Sequence, residues 1–449
     1  MIINYKKIIS FLVLNISLSL LILPCHANNL IISNVELGSR NPSGSSVVVE
    51  FDISWDNSWR TKINHDATWL TFRLYDDSTP SNKKLCTLTT AGLNPTSLSV
   101  PFGSGAEAYV PTDKTGAFIR SSDFNSGNTI TLEAVEATLD FSSCGFTQTS
   151  EITAMVFGVE MVQIPEGQFY AGDGNSSTAS LNQGSADLDP WQITDANAMS
   201  VTNPASNGYR YVSNSNSGEN ATGTSFTIGA DFPNGYDSFY VMKYEVTEGQ
   251  WVEFVNALPL DAARTARDLT NATHKNSDSV KYRNTIACSG SPLTCSTSRP
   301  YRATSYLSWM DLTAFLDWAA LRPISELEFE KAARGPLQSV AGEFAWGTIN
   351  ITAVSQLSVG DEDGDEIVIT SEANTNYNNV TLSGGDTANG VAYTQGPLRA
   401  GIYAQTTSVR ETAGASYYGV MELSGNVRER VVTIGNATGR NFTATHGDG

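Results

Sequence analysis

One acidic stretch, "DEDGDE" at 361–366, contains the residue type that binds hard cations. Asp361, Asp363 and Asp365 stand at alternate positions, and Glu372 follows eleven residues after Asp361. Carboxylates at a similar spacing bind calcium in EF-hand loops, but there the glycine is the sixth residue and helices flank the loop. Here the glycine is fourth, and no flanking helix is apparent. The stretch is therefore either a metal-binding loop or, more simply, a solvated acidic loop.

The cysteines are a second set of residues that could do chemistry. Beyond Cys25, the four cysteines fall into two regional pairs, Cys86 with Cys144 and Cys288 with Cys295. In an oxidising compartment we expect both pairs to form disulfides, whereas four unrelated thiols are the alternative. In the chain-entropy model the longer loop would contribute roughly 4 kcal/mol of stability and the shorter roughly 2 to 3 kcal/mol.

The N-terminus indicates such a compartment. Lys6 and Lys7 precede an apolar run, and the small-residue site that ends at Ala27 follows it, which predicts a signal peptide over residues 1–27. A lipid anchor on Cys25 is the alternative. No later segment approaches the length of a membrane span. We expect a secreted or periplasmic protein, cleaved near Ala27.

The charge balance narrows the range of partners. Cleavage would remove Lys6 and Lys7 and no acidic residue, leaving 25 basic and 46 acidic residues and a net charge of −21. Such a surface repels phosphate backbones and anionic lipids. Nucleic acid and polybasic membrane docking are therefore not expected, while cationic partners and divalent metals remain open.

The first domain is predicted to be an all-β sandwich over residues 28–158. Short runs such as "SVVVEFDISWD" and "ATWLTFRLYD" are rich in β-branched and aromatic residues with two-residue alternation, and Gly, Ser, Asn and Pro clusters separate them. We expect about seven strands, with Cys86 and Cys144 tying sheets or loops together.

A second domain, residues 159–449, is predicted to be loop-rich with a few well-capped helices. Thr247 is a candidate N-cap. Ser308 precedes Asp311 by three residues and Ser325 precedes Glu328 by three, as in a capping box. Gly335 is placed to end the last of these helices.

The order of motifs in this domain resembles that of the sulfatase-modifying-factor family, which includes the formylglycine-generating enzymes. The similar segments are "PEGQFYAGDG", "FYVMKYEVTEGQWVEFVN", "RPISELEFEKAARG", "FAWGT", "GPLRAGIYA" and "GVMELSGNVRER". The resemblance implies an irregular α+β fold of the C-type-lectin type. It therefore predicts a multidomain chain: an N-terminal all-β sandwich followed by a formylglycine-generating-enzyme-like domain.

The resemblance also implies a site for structural calcium. The residues that match the family's calcium-binding loops are Asn374, Asp386, Asn426, Val427 and Glu429. Loops of this kind offer calcium the side-chain and backbone oxygens that it requires.

The departures from the family pattern concern the active cleft. The familiar Gly-Asn-Val-Trp-Glu-Trp turn has Arg428 and Arg430 in place of its two tryptophans. Catalytic members use a late cysteine pair to bind Cu(I), for which thiolates are suitable ligands. No cysteine follows Cys295 in this sequence. We therefore expect copper only if a closing segment beyond Gly449 supplies the pair.

Two functions remain open at this stage. The chain is expected to be a secreted, non-catalytic module of this family that binds a protein, peptide or glycan ligand. The alternative is an oxidase that converts a sulfatase cysteine to formylglycine, with its copper-binding pair outside the sequence.

Overall fold

The computed structural model describes most of the chain. The described residues are 29–76, 83–173, 180–183, 189–202, 208–212, 225–270, 283–358, 367–377, 396–405 and 407–449. The predicted signal peptide lies outside these ranges, and it remains a prediction. No helix among the described residues is long and apolar enough to cross a membrane.

Strands dominate the first half of the chain. The strands up to the start of the second domain are β1 (Ile31–Arg40), β2 (Ser46–Arg60), β3 (Asp66–Asp76), β4 (Lys84–Leu85), β5 (Thr87–Leu88), β6 (Gly92–Leu93), β7 (Leu98–Ser99), β8 (Ala106–Val110), β9 (Ala117–Ser121), β10 (Asn125–Asp140) and β11 (Ile152–Ile164). The later strands are shorter: β12 (Phe169–Ala171), β13 (Ser180–Gln183), β14 (Trp191–Ile193), β15 (Met199–Thr202), β16 (Tyr209–Val212), β17 (Ser225–Ile228), β18 (Phe239–Met242), β19 (Ala287–Ser289) and β20 (Thr294–Ser296).

Five short helices occur among the described residues of the second half. They are α1 (Glu248–Ala257), α2 (Asp261–Ala266), α3 (Trp309–Trp318), α4 (Glu326–Arg334) and α5 (Ala437–Arg440). Thr247, Ser308 and Ser325 each form a complete capping box at the start of α1, α3 and α4, so the three predicted helix starts are confirmed. Gly335 caps the end of α4 with a φ of 75°, which glycine adopts without strain.

The first domain is a sandwich of two mainly antiparallel sheets, as predicted. One sheet has the order β1-β2-β10-β5, with β7 also paired to β10. The other has the order β18-β11-β3-β9-β8-β6, with β4 paired to β3. Alternate residues of β2 face the core between the sheets, including Val49, Phe51 and Ile53. The Cys86–Cys144 disulfide lies in the same core, and this predicted bond is confirmed.

The second sheet is buried on both faces and continues into the second domain. β11 pairs with β3 along residues 152–162 and with β18 along residues 161–164. The predicted boundary at residue 158 therefore falls inside a strand that both domains share. On the outer face of this sheet, Trp69 and Phe157 pack with Trp251 and Phe254 of α1 and with Trp318 of α3.

The rest of the second domain, where the structure describes it, has little regular structure. Two further strand pairs, β12–β14 and β19–β20, and one four-stranded sheet, β13-β16-β15-β17, are small. The second predicted disulfide, Cys288–Cys295, bridges β19 and β20 and is also confirmed. The structure thus has a β-rich N-terminal region followed by an irregular region with a few helices, as the sequence predicted.

Candidate functional site

The site is built around the turn at 422–430, which the sequence marks with "ELSGNVRER". Asn426 adopts a left-handed conformation with a φ of 59°, which asparagine tolerates better than most residues. Its side-chain oxygen accepts a hydrogen bond from the amide of Leu398 at 2.8 Å. Its backbone amide donates to the carbonyl of Asn376 at 3.0 Å. Asn426 therefore holds three separate loop segments together.

Glu245 anchors the same turn from the segment between β18 and α1. Its carboxylate accepts a hydrogen bond from the Asn426 side-chain amide at 2.5 Å and from the backbone amide of Val427 at 2.9 Å. Burial, followed by the charges of Glu422 and Glu429, raises the pKa of Glu245 well above its ordinary value. Glu245 is thus a positioning residue that sequence analysis did not identify.

Glu422 supplies a buried carboxyl group to this site. One carboxyl oxygen accepts from the amide of Gly401 at 2.8 Å. The other, Oε2, is buried and has no hydrogen-bond partner among the described residues. Burial raises the pKa of Glu422 to about 7. An unpaired buried carboxyl oxygen is costly unless a donor or a cation satisfies it.

Tyr403 lies in the same buried environment. Its hydroxyl group has no hydrogen-bond partner within the part of the chain that is described. Burial, followed by the charges of Glu422 and Glu245, raises the pKa of the phenol well above its ordinary value. The phenol therefore stays protonated beside the two carboxyl groups.

The outer part of the turn reaches solvent. Arg428, Glu429 and Arg430 are all exposed. Desolvation, together with the charge of Glu422, raises the pKa of Glu429 to about 8. The turn thus combines a carboxyl-rich interior with two surface cations.

The other predicted calcium ligands separate into two groups. Asn374 is buried, and its side-chain oxygen accepts from the amide of Thr352 at 3.0 Å while its side-chain amide donates to the carbonyl of Asn350 at 3.3 Å. It joins the turn region indirectly, because the adjacent Thr375 donates to the carbonyl of Ser424 at 2.8 Å. The remaining predicted ligands lie outside the described residues: Asp361, Asp363, Asp365 and Asp386.

No preformed metal centre is apparent in the described ranges. Within them, no group of three or more His, Cys, Asp or Glu side chains has metal-binding geometry. Any cation at the turn would therefore need backbone carbonyl oxygens in addition to side chains. All four cysteines of the described chain are disulfide-bonded, so none of them is a free thiolate.

Sequence analysis missed Glu245 and Glu422 because neither stands in a metal-ligand spacing. Glu245 is 177 residues from Glu422 along the sequence, and only the tertiary fold brings their charges together. One signal in the sequence could have identified Glu422, because it lies within the family segment "GVMELSGNVRER", three residues before Gly425.

The fold and the turn define the class of this chain as a β-sandwich fused to an irregular domain built around a Gly-Asn-x-x-Glu turn. The family model for the sulfatase-modifying factor enzyme 1-like domain matches residues 151–436. This match covers more than half of the sequence, and the chain belongs to that family.

Two further comparisons add little to this assignment. None of the curated proteins matches the chain. Among solved structures, the crystal structure of group B streptococcus pilus 2b backbone protein is similar with 13% identity and a TM-score of 0.14, covering 47% of this chain and 79% of that one. A likeness at this TM-score says nothing about fold or function.

Proposed function

We propose that this chain is a secreted, non-catalytic member of the sulfatase-modifying-factor family that binds an acidic peptide or glycan through the surface of the 422–430 turn. The observation that carries the proposal is the exposure of Arg428 and Arg430 where the family motif has tryptophans. The disulfide bonding of all four described cysteines supports the non-catalytic role, because thiolates are the ligands that Cu(I) prefers.

An aromatic side chain adds to this surface. Tyr377 is 52% exposed, and it directly follows Asn376, whose carbonyl accepts the hydrogen bond from Asn426. Tyrosine and arginine are enriched at interfaces, and arginine binds carboxylate and sulfate groups through paired hydrogen bonds. In a chain with a net charge of −19, two surface arginines separated by one residue would direct an acidic group to this turn.

We further propose that calcium supports the turn. The buried Oε2 atom of Glu422 is available as a ligand oxygen, and a bound cation would favour the charged form of this carboxyl group over the neutral form that burial favours. Glu422, Glu429 and the carbonyl of Val427 would hold the ion, and Asn426 with Glu245 would keep the turn in shape. Calcium would act as a structural ion at this position.

Calcium should raise the thermal stability of the protein, and removal with a chelator should lower it. At a calcium concentration one hundred times the dissociation constant, binding would stabilise the fold by roughly 2.7 kcal/mol. Glu422→Gln should abolish the calcium-induced shift in melting temperature. Glu133→Gln, an exposed residue of β10, is the matched control and should leave it unchanged. An identical melting temperature with calcium and after exhaustive chelation would refute the site.

Binding can be tested with a sulfated glycan, its desulfated counterpart and a polyglutamate peptide as probes. We expect measurable affinity for at least one acidic probe, and the double variant Arg428→Ala/Arg430→Ala should weaken it by about tenfold or more, which corresponds to about 1.4 kcal/mol. Lys62→Ala removes an exposed positive charge from the sandwich and should have no effect. Equal losses of affinity in the double variant and in Lys62→Ala would indicate a non-specific attraction between charges. That result would contradict the proposed binding surface.

The alternative function is a copper oxidase that converts a sulfatase cysteine to formylglycine. The family match favours it, and it requires a cysteine pair outside this sequence. Oxygen consumption with copper and a Cys-x-Pro-x-Arg peptide measures this activity directly. Turnover by the chain of 449 residues would overturn the non-catalytic proposal.

A further inference from the structure

Three buried ionisable side chains meet where the sandwich joins the second domain. Asp66 begins β3, Glu160 lies in β11, and Lys243 follows β18 directly. Glu160 pairs with Thr68, and the amide of Lys243 donates to the carbonyl of Glu160, so the three side chains project from one face of three adjacent strands. Their exposed fractions are 1% for Asp66, 4% for Glu160 and 4% for Lys243.

Lys243 contacts both carboxyl groups. Its ammonium nitrogen, Nζ, lies 2.8 Å from Oδ2 of Asp66 and 3.2 Å from Oε2 of Glu160. Such proximity raises the effective concentration of the lysine nitrogen at the carboxyl group. Although burial acts in the opposite direction, the charge of Asp66 raises the pKa of Lys243 well above its ordinary value, so the nitrogen must give up a proton before it can attack.

The other oxygen of Asp66 is held by hydrogen-bond donors. Oδ1 accepts from the backbone amide of Trp59 at 2.9 Å and from the hydroxyl of Ser58 at 3.1 Å. Donors in this arrangement stabilise the negative charge that develops on a carbonyl oxygen when a nucleophile attacks the carbon. If the Lys243 nitrogen attacked the carboxyl carbon of Asp66, Oδ1 would be the oxygen whose charge is stabilised. Oδ2, which lies beside that nitrogen, would be the oxygen that leaves.

Glu160 is suited to carry protons between the amine and the leaving oxygen. Its Oε1 atom is buried and has no hydrogen-bond partner among the described residues. Burial raises the pKa of this carboxyl to about 7, despite the adjacent Lys243. A general acid–base works best when its pKa is near the ambient pH, because it can then both accept and donate a proton.

We propose that Lys243 and Asp66 form an intramolecular amide bond, with Glu160 as the catalytic proton carrier. The new bond joins Nζ of Lys243 to Cγ of Asp66, and the bond between Cγ and Oδ2 breaks. The ammonium group loses two protons, at least one of them through Glu160, and both leave with Oδ2 as one water molecule. No oxidant, reductant or cofactor takes part, and exclusion of water from the site opposes the reverse hydrolysis.

The bond would link the two domains covalently. Asp66 belongs to the sandwich and Lys243 to the second domain, so the cross-link would close the chain from residue 66 to residue 243. It would prevent the sandwich from separating from its partner domain even when hydrogen bonds and packing fail.

Mass spectrometry of the denatured, disulfide-reduced protein tests the proposal. The mass should be lower than that of the linear sequence by one water molecule, and a protease digest should contain one branched peptide that joins the Asp66 and Lys243 segments. Lys331 is the internal control, since this buried lysine contacts the carbonyl oxygens of Gly235 and Tyr236 rather than a carboxylate. It should be recovered only in linear peptides.

Two variants separate the chemistry from the packing. Glu160→Gln keeps the shape of the side chain but cannot carry the proton, so the folded variant should have the full linear mass. Lys243→Arg keeps the positive charge but lacks the nucleophilic amine, and it should also have the linear mass. If either variant does not fold, the digest of the wild-type protein still shows whether the branched peptide is present. A wild-type protein of full linear mass with no branched peptide overturns the proposal and leaves a non-covalent ion triad.

Discussion

At the scale of single residues, the partly buried His65 lies at the junction between the domains. Its Nε2 atom lies 2.8 Å from the hydroxyl oxygen of Tyr240 and 3.1 Å from a guanidinium nitrogen of Arg120. Burial, followed by the positive charges of Arg120 and Arg60, lowers the pKa of His65 from 6.5 to about 4. His65 is therefore neutral in the folded protein at neutral pH.

This shift predicts a loss of stability in mild acid. A histidine with a depressed pKa contributes full stability above its unfolded value of 6.5, and that contribution is lost as the pH falls towards 4. We expect a loss of roughly 1 to 3 kcal/mol, the lower value applying if solvent reaches the ring. Urea titrations at several pH values measure it. His65→Gln should remove this acid-dependent loss of stability. His446→Gln, at an exposed position, should leave the loss unchanged. The same pH slope in all three proteins would contradict the assignment.

At the scale of secondary-structure elements, local sequence signals located α1, α3 and α4 but not the short helices α2 and α5, of which α2 has no side-chain cap. Each capping box connects residues three apart, so the interaction depends on the local sequence and needs no information about the fold. Strand alternation was equally informative in β2, which has one buried face. It was less informative in β3, where nine successive residues are buried because both faces of the strand are covered.

The two serine caps should differ in strength. Ser308→Ala should cost about 1 kcal/mol, because it removes the hydrogen bond to the amide of Asp311. Each hydroxyl also donates a second hydrogen bond, from Ser308 to the Asp311 carboxylate at 2.6 Å and from Ser325 to the carbonyl of Pro233 at 2.6 Å. Ser325→Ala should cost more, because Ser325 is fully buried and the carbonyl of Pro233 would lose its donor away from water. Chemical unfolding of both variants gives the two values. An equal or smaller loss for Ser325→Ala would show that the bond to Pro233 contributes nothing.

At the scale of the whole molecule, the sandwich and the second domain share one sheet and one apolar core. Phe157 of β11 is 1% exposed and contacts Trp318 of α3, with ring centres 4.5 Å apart. Trp69 of β3 donates a hydrogen bond from its indole to the carbonyl of Ala319 at 3.0 Å. Contacts of this kind are typical of a domain interior rather than of a flexible junction.

The shared core predicts coupled unfolding. Phe157→Ala should destabilise the protein by roughly 3 to 5 kcal/mol. It should lower the midpoint of unfolding of both domains by the same amount, because they unfold as one unit. Phe124→Ala, at a position that is 68% exposed, is the matched control and should change stability little. Circular dichroism and tryptophan fluorescence should give coincident transitions. Two separated transitions, with only one of them affected by Phe157→Ala, would show that the domains unfold independently.

The sequence by itself determined the local structure and the family. Alternation predicted the sandwich, residue spacing predicted the helix caps, and the ordered motifs predicted membership of the sulfatase-modifying-factor family. Regional cysteine pairing predicted both disulfides. The helix caps join residues three apart, and the family follows from a recurring order of short segments. The Cys86–Cys144 bond spans 58 residues, but the pairing of cysteines by region needed no knowledge of other distant contacts.

Only the tertiary structure decided which distant side chains meet. Glu245 holds the Asn426 turn across 181 residues, and Lys243 reaches Asp66 across 177. These contacts exist because β18 adds to the sandwich sheet beside β11, a pairing that no local pattern specifies. The burial that raises the pKa values of Glu160 and Glu422 arises in the same way, from packing between segments that are remote in the sequence.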